Sequence, residues 1–289
     1  MDVVGRIERT LSAALARAGA PGGPPLLAGA MAHAVFPRGA RVRPRLALAV
    51  SAACGDDDPA VADGAAAAIE LLHCASLVHD DLPCFDDADT RRGRPSVHRA
   101  YSEPLAVLAG DALIVLAFQT LAAGAQRSPA RLPILLLILG QAAGMPHGIA
   151  AGQAWESEPQ PDLGQYQRAK TGALFAAATM AGAAAAGFDP EPWRGLGEKL
   201  GEAYQVADDL ADVLSDAVEQ GKPTGRDSML GRPNAALALG VTGAANHLER
   251  LASAAADSVP ACPGAAALKA LTLSEAHRLL PRDLSRRAA

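Results

Sequence analysis

Two apolar, helix-forming stretches of this chain end in runs of aspartate, and that pairing limits the folds open to it more than any other feature. The first is LLHCASLVHDDLPCFDDADTRRGRPSVH, Leu71 to His98, in which Asp80 and Asp81 close an apolar run and Asp86, Asp87 and Asp89 precede Arg91, Arg92 and Arg94. Like charges this close repel one another, so a fold keeps them only where water screens them or cations bridge them. Ala65 to Val78 has no Pro or Gly and sets Ile69, Leu72, Ser76 and His79 at helical spacing, which predicts a helix. His73, Ser76 and Asp80 share one face of it. Pro83 ends it, leaving the carboxylates at a helix C-terminus, where an anion is unfavourable unless a cation compensates.

Taken alone, such a run is most often a solvated acidic loop. An EF-hand loop is excluded, because the sixth position from Asp80 is Phe85 where Gly is required and the twelfth is Arg91 where Glu is required. The second stretch, AYQVADDLADVLSD, supplies Asp208, Asp209, Asp212 and Asp216. Asp208 and Asp212 lie on one helix face about 6 Å apart along the axis. Two acidic clusters, each on an apolar helix, suggest facing halves of one cation site. Oxygen-only ligands without zinc-spaced His or Cys suit a hard ion, foremost Mg²⁺.

The 289 residues are half apolar, dominated by Ala and poor in aromatics, which favours close-packed helices over sheets. No strand alternation or fixed-period repeat interrupts this, so the expectation is an all-α single domain over residues 1–289. A net charge of −5 argues against a nucleic-acid partner. Cys54, Cys74, Cys84 and Cys262 follow no metal spacing, and the start of the chain has no basic-then-apolar signal, so a cytoplasmic setting is expected. Leu132 to Leu139, read as the longest apolar run, is too short to span a bilayer. Met1 to Ala18 is predicted to form an amphipathic covering helix, Gly19 to Pro25 a turn, and Gly55 to Pro59 (GDDDP) an acidic cap on the following helix.

The sequence resembles the trans-isoprenyl diphosphate synthases, the polyprenyl synthetase family, and among them the bacterial and plastid-type geranylgeranyl diphosphate synthases. DDLPCFD is similar to the family's first aspartate-rich motif, RRGRP to its RRG-x-P, and DDLAD to its second motif, DDxxD. LAGDAL (Leu108 to Leu113), Gly152-Gln153, KTGALF (Lys170 to Phe175) and GKP (Gly221 to Pro223) fall in the same order, and the likeness runs from about Arg38 to Asn234.

That resemblance implies a bundle of about ten or more helices around a central apolar cavity, the isoprenoid synthase fold. It also implies a Mg²⁺-dependent condensation of isopentenyl diphosphate with C5 to C15 allylic diphosphates. In the implied mechanism the allylic diphosphate departs, the isopentenyl double bond attacks the cation and a proton is lost; charge on the departing oxygens is stabilised by about three Mg²⁺ ions and by basic side chains. By matching positions, Asp80, Asp86, Asp208 and Asp212 are the implied metal ligands, with Asp80, Asp81, Asp86, Asp208 and Lys170 forming the catalytic set. Arg41, Arg43, His73 and Arg92 are matched to the isopentenyl diphosphate site, and Arg91, Lys170, Thr171, Gln205 and Lys222 to the allylic diphosphate site.

The chain departs from the family pattern in several places. Ala40 stands where the family has lysine, with Arg38 as a candidate substitute; Tyr204 replaces a Phe; Arg226 and Arg232 replace lysines. Ala75 stands at the position, five before the first aspartate, where farnesyl-making bacterial enzymes carry an aromatic floor, and both it and the adjacent Ser76 are small, which implies a C20 product, geranylgeranyl diphosphate. The alternatives are a farnesyl diphosphate synthase making C15, a weakly active partner subunit, and a terpene cyclase; Arg43, His73 and Arg92 argue against the cyclase. A homodimer serving isoprenoid biosynthesis, carotenoid biosynthesis included, completes what the resemblance implies.

Overall fold

The computed structural model describes residues 2–36, 39–160, 162–214 and 234–279, and among these the chain is almost entirely helical. In order come α1 (Val3–Ala18), α2 (Pro25–Val35), α3 (Val42–Cys54), α4 (Pro59–Asp80), a two-stranded hairpin, α5 (Val97–Ala100), α6 (Glu103–Gly124), α7 (Leu132–Ala143), α8 (Ile149–Ala154) and α9 (Leu163–Gln167). A one-turn π-helix at Arg168–Gly172 leads into α10 (Ala173–Ala185), followed by α11 (Arg194–Leu214), α12 (Ala235–Asp257) and α13 (Ala265–Leu279). The hairpin pairs β1 (Thr90–Arg91) with β2 (Arg94–Pro95) antiparallel.

Two alanine-rich helices, α4 and α10, form the axis. Both are buried around nearly their whole circumference, as expected for helices without a polar face. Small side chains let their neighbours approach closely: α4 packs on α6, α3, α10 and α1, and α10 packs on α3, α11 and α7. One apolar cluster holds α4 with α1, α2, α6, α7 and α10, and a second gathers Trp193, Leu196 and Phe175 beside α3 and α13. A third ties α11 to α12. α1 covers the bundle as its amphipathic pattern predicts, burying Ile7, Leu11 and Ala14.

Several ends follow local chemistry. Ser102 caps α6 through Leu105 N–H with Pro104 in the first turn, and Asn234 caps α12 through Leu237 N–H. α12 is bent at Gly240, whose φ of 71° breaks the helical backbone. The GDDDP segment departs from the expectation: Asp58 makes no side-chain cap on α4. Its carboxylate accepts from Ser128 Oγ at 2.7 Å, Asp57 pairs with Arg131 at 2.6 Å, and Asp56 pairs with Arg6 at 3.2 Å. The three acids therefore clamp neighbouring segments, which were out of reach of a reading confined to local sequence.

The apolar run at Leu132 to Leu139 lies in α7, but two longer apolar helices exist. By length and composition α4 and the stretch Glu103–Arg127 could each cross a membrane; the α4 window is 78% buried inside the protein, the other 44%. Asp111 interrupts the second stretch, which hid its length in a residue-by-residue reading. Val107, Leu108 and Val115 of this stretch are exposed, as are Leu136 and Leu137 of α7.

Candidate active site

A cavity of about 450 Å³ opens where the C-terminal half of α4, the N-terminus of α3, the hairpin, α8, the π-helical turn and α11 meet. Asp80 and Asp86 from the first acidic cluster and Asp208 and Asp212 from the second line it together. Carboxylates separated by more than 120 residues in sequence thus share one space, because α4 and α11 both reach it, α4 with its last turn. His73, Ser76 and Leu77 face it from α4, as the one-face spacing predicts, and Arg41, Arg43, Arg91, Arg92, Lys170, Thr171 and Gln205 complete its rim.

In each cluster the two adjacent aspartates part company. Asp80 borders the cavity and accepts from Lys170 Nζ at 3.1 Å. Asp81, expected in the catalytic set, is buried at 2% exposure and is off this cavity; it receives Arg91 Nε at 3.0 Å and so fixes that guanidinium. In the second cluster Asp208 lines the cavity and Asp209, also 2% exposed, accepts from Gln205 Nε2 at 2.9 Å and from the backbone N–H of Ala235 at 2.7 Å. Gln205 Oε1 accepts a hydrogen bond from the Thr171 hydroxyl at 2.9 Å. One polar chain therefore runs from the π-helical turn through α11 to the start of α12.

Lys170 is held by Glu156 at 2.6 Å as well as by Asp80, and Glu156 is in turn fixed by Tyr166 Oη at 2.8 Å and Gln153 Nε2 at 3.1 Å. Burial opposes the charge on Lys170, but Asp80, Tyr166 and Glu156 outweigh it and raise the pKa above that of an ordinary lysine. Glu156 was missed in the sequence; its only signal is its place three residues after the Gly152-Gln153 pair, on the helical spacing that returns it to Gln153.

Across the cavity, the Arg43 guanidinium stacks 4.6 Å from the Phe175 ring centroid and 5.7 Å from that of Tyr204, and its Nη1 lies 3.5 Å from His73 Nε2. The buried Nε of Arg43 has no hydrogen-bond partner. His73 is held neutral, its pKa driven well down first by burial and then by Arg43, Arg92, Arg91 and Arg41. A cluster of cations that suppresses a buried histidine in this way is a ready place for a polyanion. Arg41 is different: its side chain turns inward to Glu70 and Glu8. Of the two small residues expected beneath the site, Ser76 lies on the wall, next to Leu77 with Ile149 and Leu174 beyond, while Ala75 sits in the apolar core behind it. His79 and His98 are off the cavity. Arg38, Asp216, Lys222, Arg226 and Arg232 lie outside the described residues.

Among the described residues no three carboxylate, His or Cys groups are already gathered as a metal cage. The donor set nevertheless fits Mg²⁺, which is held by one or two carboxylates, keeps several waters and takes further ligands from substrate phosphate. Acids from two separate stretches of chain and basic groups lining the same cavity make a space suited to a phosphate-rich substrate and hard cations.

The sequence profile of the polyprenyl synthetase family matches residues 24–264. The chain belongs to the polyprenyl synthetase family. It is 55% identical to the geranylgeranyl diphosphate synthase of Cereibacter sphaeroides and 52% identical to that of Rhodobacter capsulatus, covering 98% and 97% of both partners respectively. Among solved structures it is similar to the geranyltransferase of Helicobacter pylori complexed with magnesium and isoprenyl diphosphate, with a TM-score of 0.80, 30% identity and 96% of each chain covered. The isoprenoid synthase fold expected from the motifs is the fold observed.

Proposed function

We propose that this protein is a Mg²⁺-dependent prenyltransferase that condenses isopentenyl diphosphate with allylic diphosphates to make geranylgeranyl diphosphate. The observation that carries this reading is the convergence of Asp80, Asp86, Asp208 and Asp212 on one cavity that Arg41, Arg43, Arg91, Arg92 and Lys170 also line. Near full-length similarity to two geranylgeranyl diphosphate synthases supports the product class.

The two ends of the cavity take different tasks. Asp80 and Asp86 on one wall and Asp208 and Asp212 on the other would hold magnesium, which when bound neutralises charge growing on the departing diphosphate oxygens. Lys170, kept protonated by its acidic neighbours, and Arg91, anchored by Asp81, donate to the allylic diphosphate, with Thr171 beside them. Arg43, Arg92 and His73 face the second diphosphate, that of the homoallylic substrate. Val42, Leu77, Ile149 and Leu174 give the cavity an apolar wall that keeps water from the allylic cation while the isopentenyl double bond attacks it. The proton lost at the end goes to the released diphosphate, the nearest strong base once the bond has broken.

The prenyl chain grows from the allylic end, past Ser76 into the space beneath the first acidic cluster. The small Ser76 side chain on that wall, with no aromatic ring there among the described residues, supports a C20 product. Incubation with Mg²⁺, isopentenyl diphosphate and each of the C5, C10 and C15 allylic diphosphates tests this. A C20 product is expected from all three; arrest at C15 would make the protein a farnesyl diphosphate synthase, and no product from any of them would refute the reading.

The enzyme acts, in this proposal, as a single cytoplasmic domain paired with a second copy of itself. The apolar surface of α6 and α7, with Leu108 51%, Val115 56% and Leu137 55% exposed, supports a homodimer across that face. Light scattering on the eluting protein should give twice the 29.4 kDa chain mass; the mass of one chain would refute the pairing.

A further inference from the structure

Arg41 sits at the rim of the cation-rich half of the site, yet its side chain is turned into the protein. It is 3% exposed, and every nitrogen of its guanidinium already donates to protein: Nε to Glu8 at 2.9 Å, Nη1 to Glu70 at 2.6 Å and Nη2 to the Val35 carbonyl at 2.9 Å. A left-handed backbone at Arg41, φ 51°, turns the side chain into the bundle at the start of α3. Turning the guanidinium out to meet a phosphate would break its buried pair with Glu70, which is strongly unfavourable when a carboxylate is left behind without its partner.

Glu70 is the centre of this arrangement. It is 2% exposed, and a second arginine approaches the same oxygen, with Arg92 Nη2 3.9 Å from Glu70 Oε1. Arg92 comes from the hairpin turn with its own left-handed backbone, φ 54°, and its guanidinium lies across Gly39, where a Cβ would fall 2.7 Å from Cζ. Two arginines from separate segments therefore converge on one buried carboxylate of α4. The other basic residues that line this part of the cavity are Arg92, Arg43 and His73.

We propose that Glu70 and Arg41 are positioning residues for the homoallylic diphosphate: Glu70 aims Arg92, Arg41 locks Glu70 in place, and Arg41 does not touch substrate. The proposal rests on the prenyltransferase reading above and departs from the expectation that Arg41 holds a phosphate. It also assigns a role to Glu8: α1, far from any substrate group in sequence, closes the network from outside.

The sign of one substitution separates this from simple electrostatics. If Glu70 were only a negative charge beside an anion site, Glu70→Gln would tighten isopentenyl diphosphate binding. If Glu70 aims Arg92, the same change loosens it. The expected result is a rise in the KM for isopentenyl diphosphate of about tenfold, the scale of one lost charge-assisted hydrogen bond, with the allylic KM within about twofold of the parent. Arg41→Gln should move the same KM in the same direction, whereas a direct phosphate contact would make the two variants move it oppositely. An unchanged or lowered KM in folded Glu70→Gln overturns the proposal.

Thermal unfolding establishes that each variant is folded. Should Glu70→Gln fail to fold, Glu8→Gln, at a partner whose side chain is 23% exposed, carries the test, with a rise of about two- to threefold in the same KM expected and no rise overturning the proposal. Absence of condensation by the parent protein would instead overturn the prenyltransferase reading, so the two failures are distinguishable.

Discussion

Adding one methyl group at Gly152 should disable the site without altering any group that touches substrate. Gly152 on α8 lies against the π-helical turn, and a Cβ built there would sit 2.5 Å from Lys170 N, 2.6 Å from Lys170 Cα and 2.9 Å from the Ala169 carbonyl carbon. These are backbone atoms that cannot rotate aside. Reaching an ordinary contact of 3.4 Å requires the two segments to part by about 0.9 Å at this point. Lys170 Nζ now stands 3.1 Å from Asp80 and 2.6 Å from Glu156, so a shift of that size withdraws the ammonium from both partners. Misplacement of a catalytic group by about 1 Å costs on the order of 10²-fold in rate, and overpacking costs about 1–3 kcal/mol of stability. Gly152→Ala should therefore lower kcat by about 10- to 100-fold at saturating substrates and Mg²⁺, with a lower unfolding temperature. Steady-state condensation and thermal unfolding, run on the same preparation, measure both. A folded Gly152→Ala protein with kcat within about twofold of the parent would refute the claim that Lys170 must be held at this distance.

Three further outcomes follow from the geometry. Ser76→Phe places a ring on the cavity wall and should shorten the main product from C20 to C15 or less, read by chromatography of the dephosphorylated alcohols; an unchanged C20 product would show that the chain runs elsewhere. His73 has a depressed pKa in the folded protein, so below the ordinary value of 6.5 the unfolded chain binds a proton that the folded chain does not, and stability falls as the pH drops. His73→Gln should flatten the fall in unfolding temperature between pH 7.5 and 5.5 that the parent shows; identical slopes would contradict the assignment of that histidine as buried and neutral. Leu137→Glu, on exposed apolar surface, should shift the light-scattering mass from two chains to one, and a retained dimer would place the interface on another face.

Much of the site was legible in the sequence because helical spacing converts directly into a shared face. His73, Ser76 and Asp80 line one wall for that reason, and Pro83 marks the end of α4 within a few residues. The motifs also order the segments correctly, so α4 and α11 could be expected to face each other. Spacing put Asp80 on the face of His73 and Ser76 but could not say what the adjacent Asp81 meets. Asp80 and Asp81 are equivalent in composition, and only the Arg91 pairing, set by the hairpin, decides that Asp81 turns away. The same holds for Arg41 and Arg43: two residues apart on the sequence, one is drawn into the core by Glu70 and the other laid against Phe175. Glu156 escaped because its importance lies in contacts from Tyr166 of α9 and Lys170 of the π-helical turn. Long-range ion pairs are the part of a fold that local periodicity does not encode.

Everything proposed for the chemistry depends on carboxylates from α4 and α11 acting through shared divalent ions. Turnover of isopentenyl diphosphate with a C15 allylic diphosphate, followed as free Mg²⁺ is lowered to zero with a chelator and then restored, tests that dependence most directly. C20 product should vanish with the metal and return with it, while turnover that persists through complete chelation would contradict it.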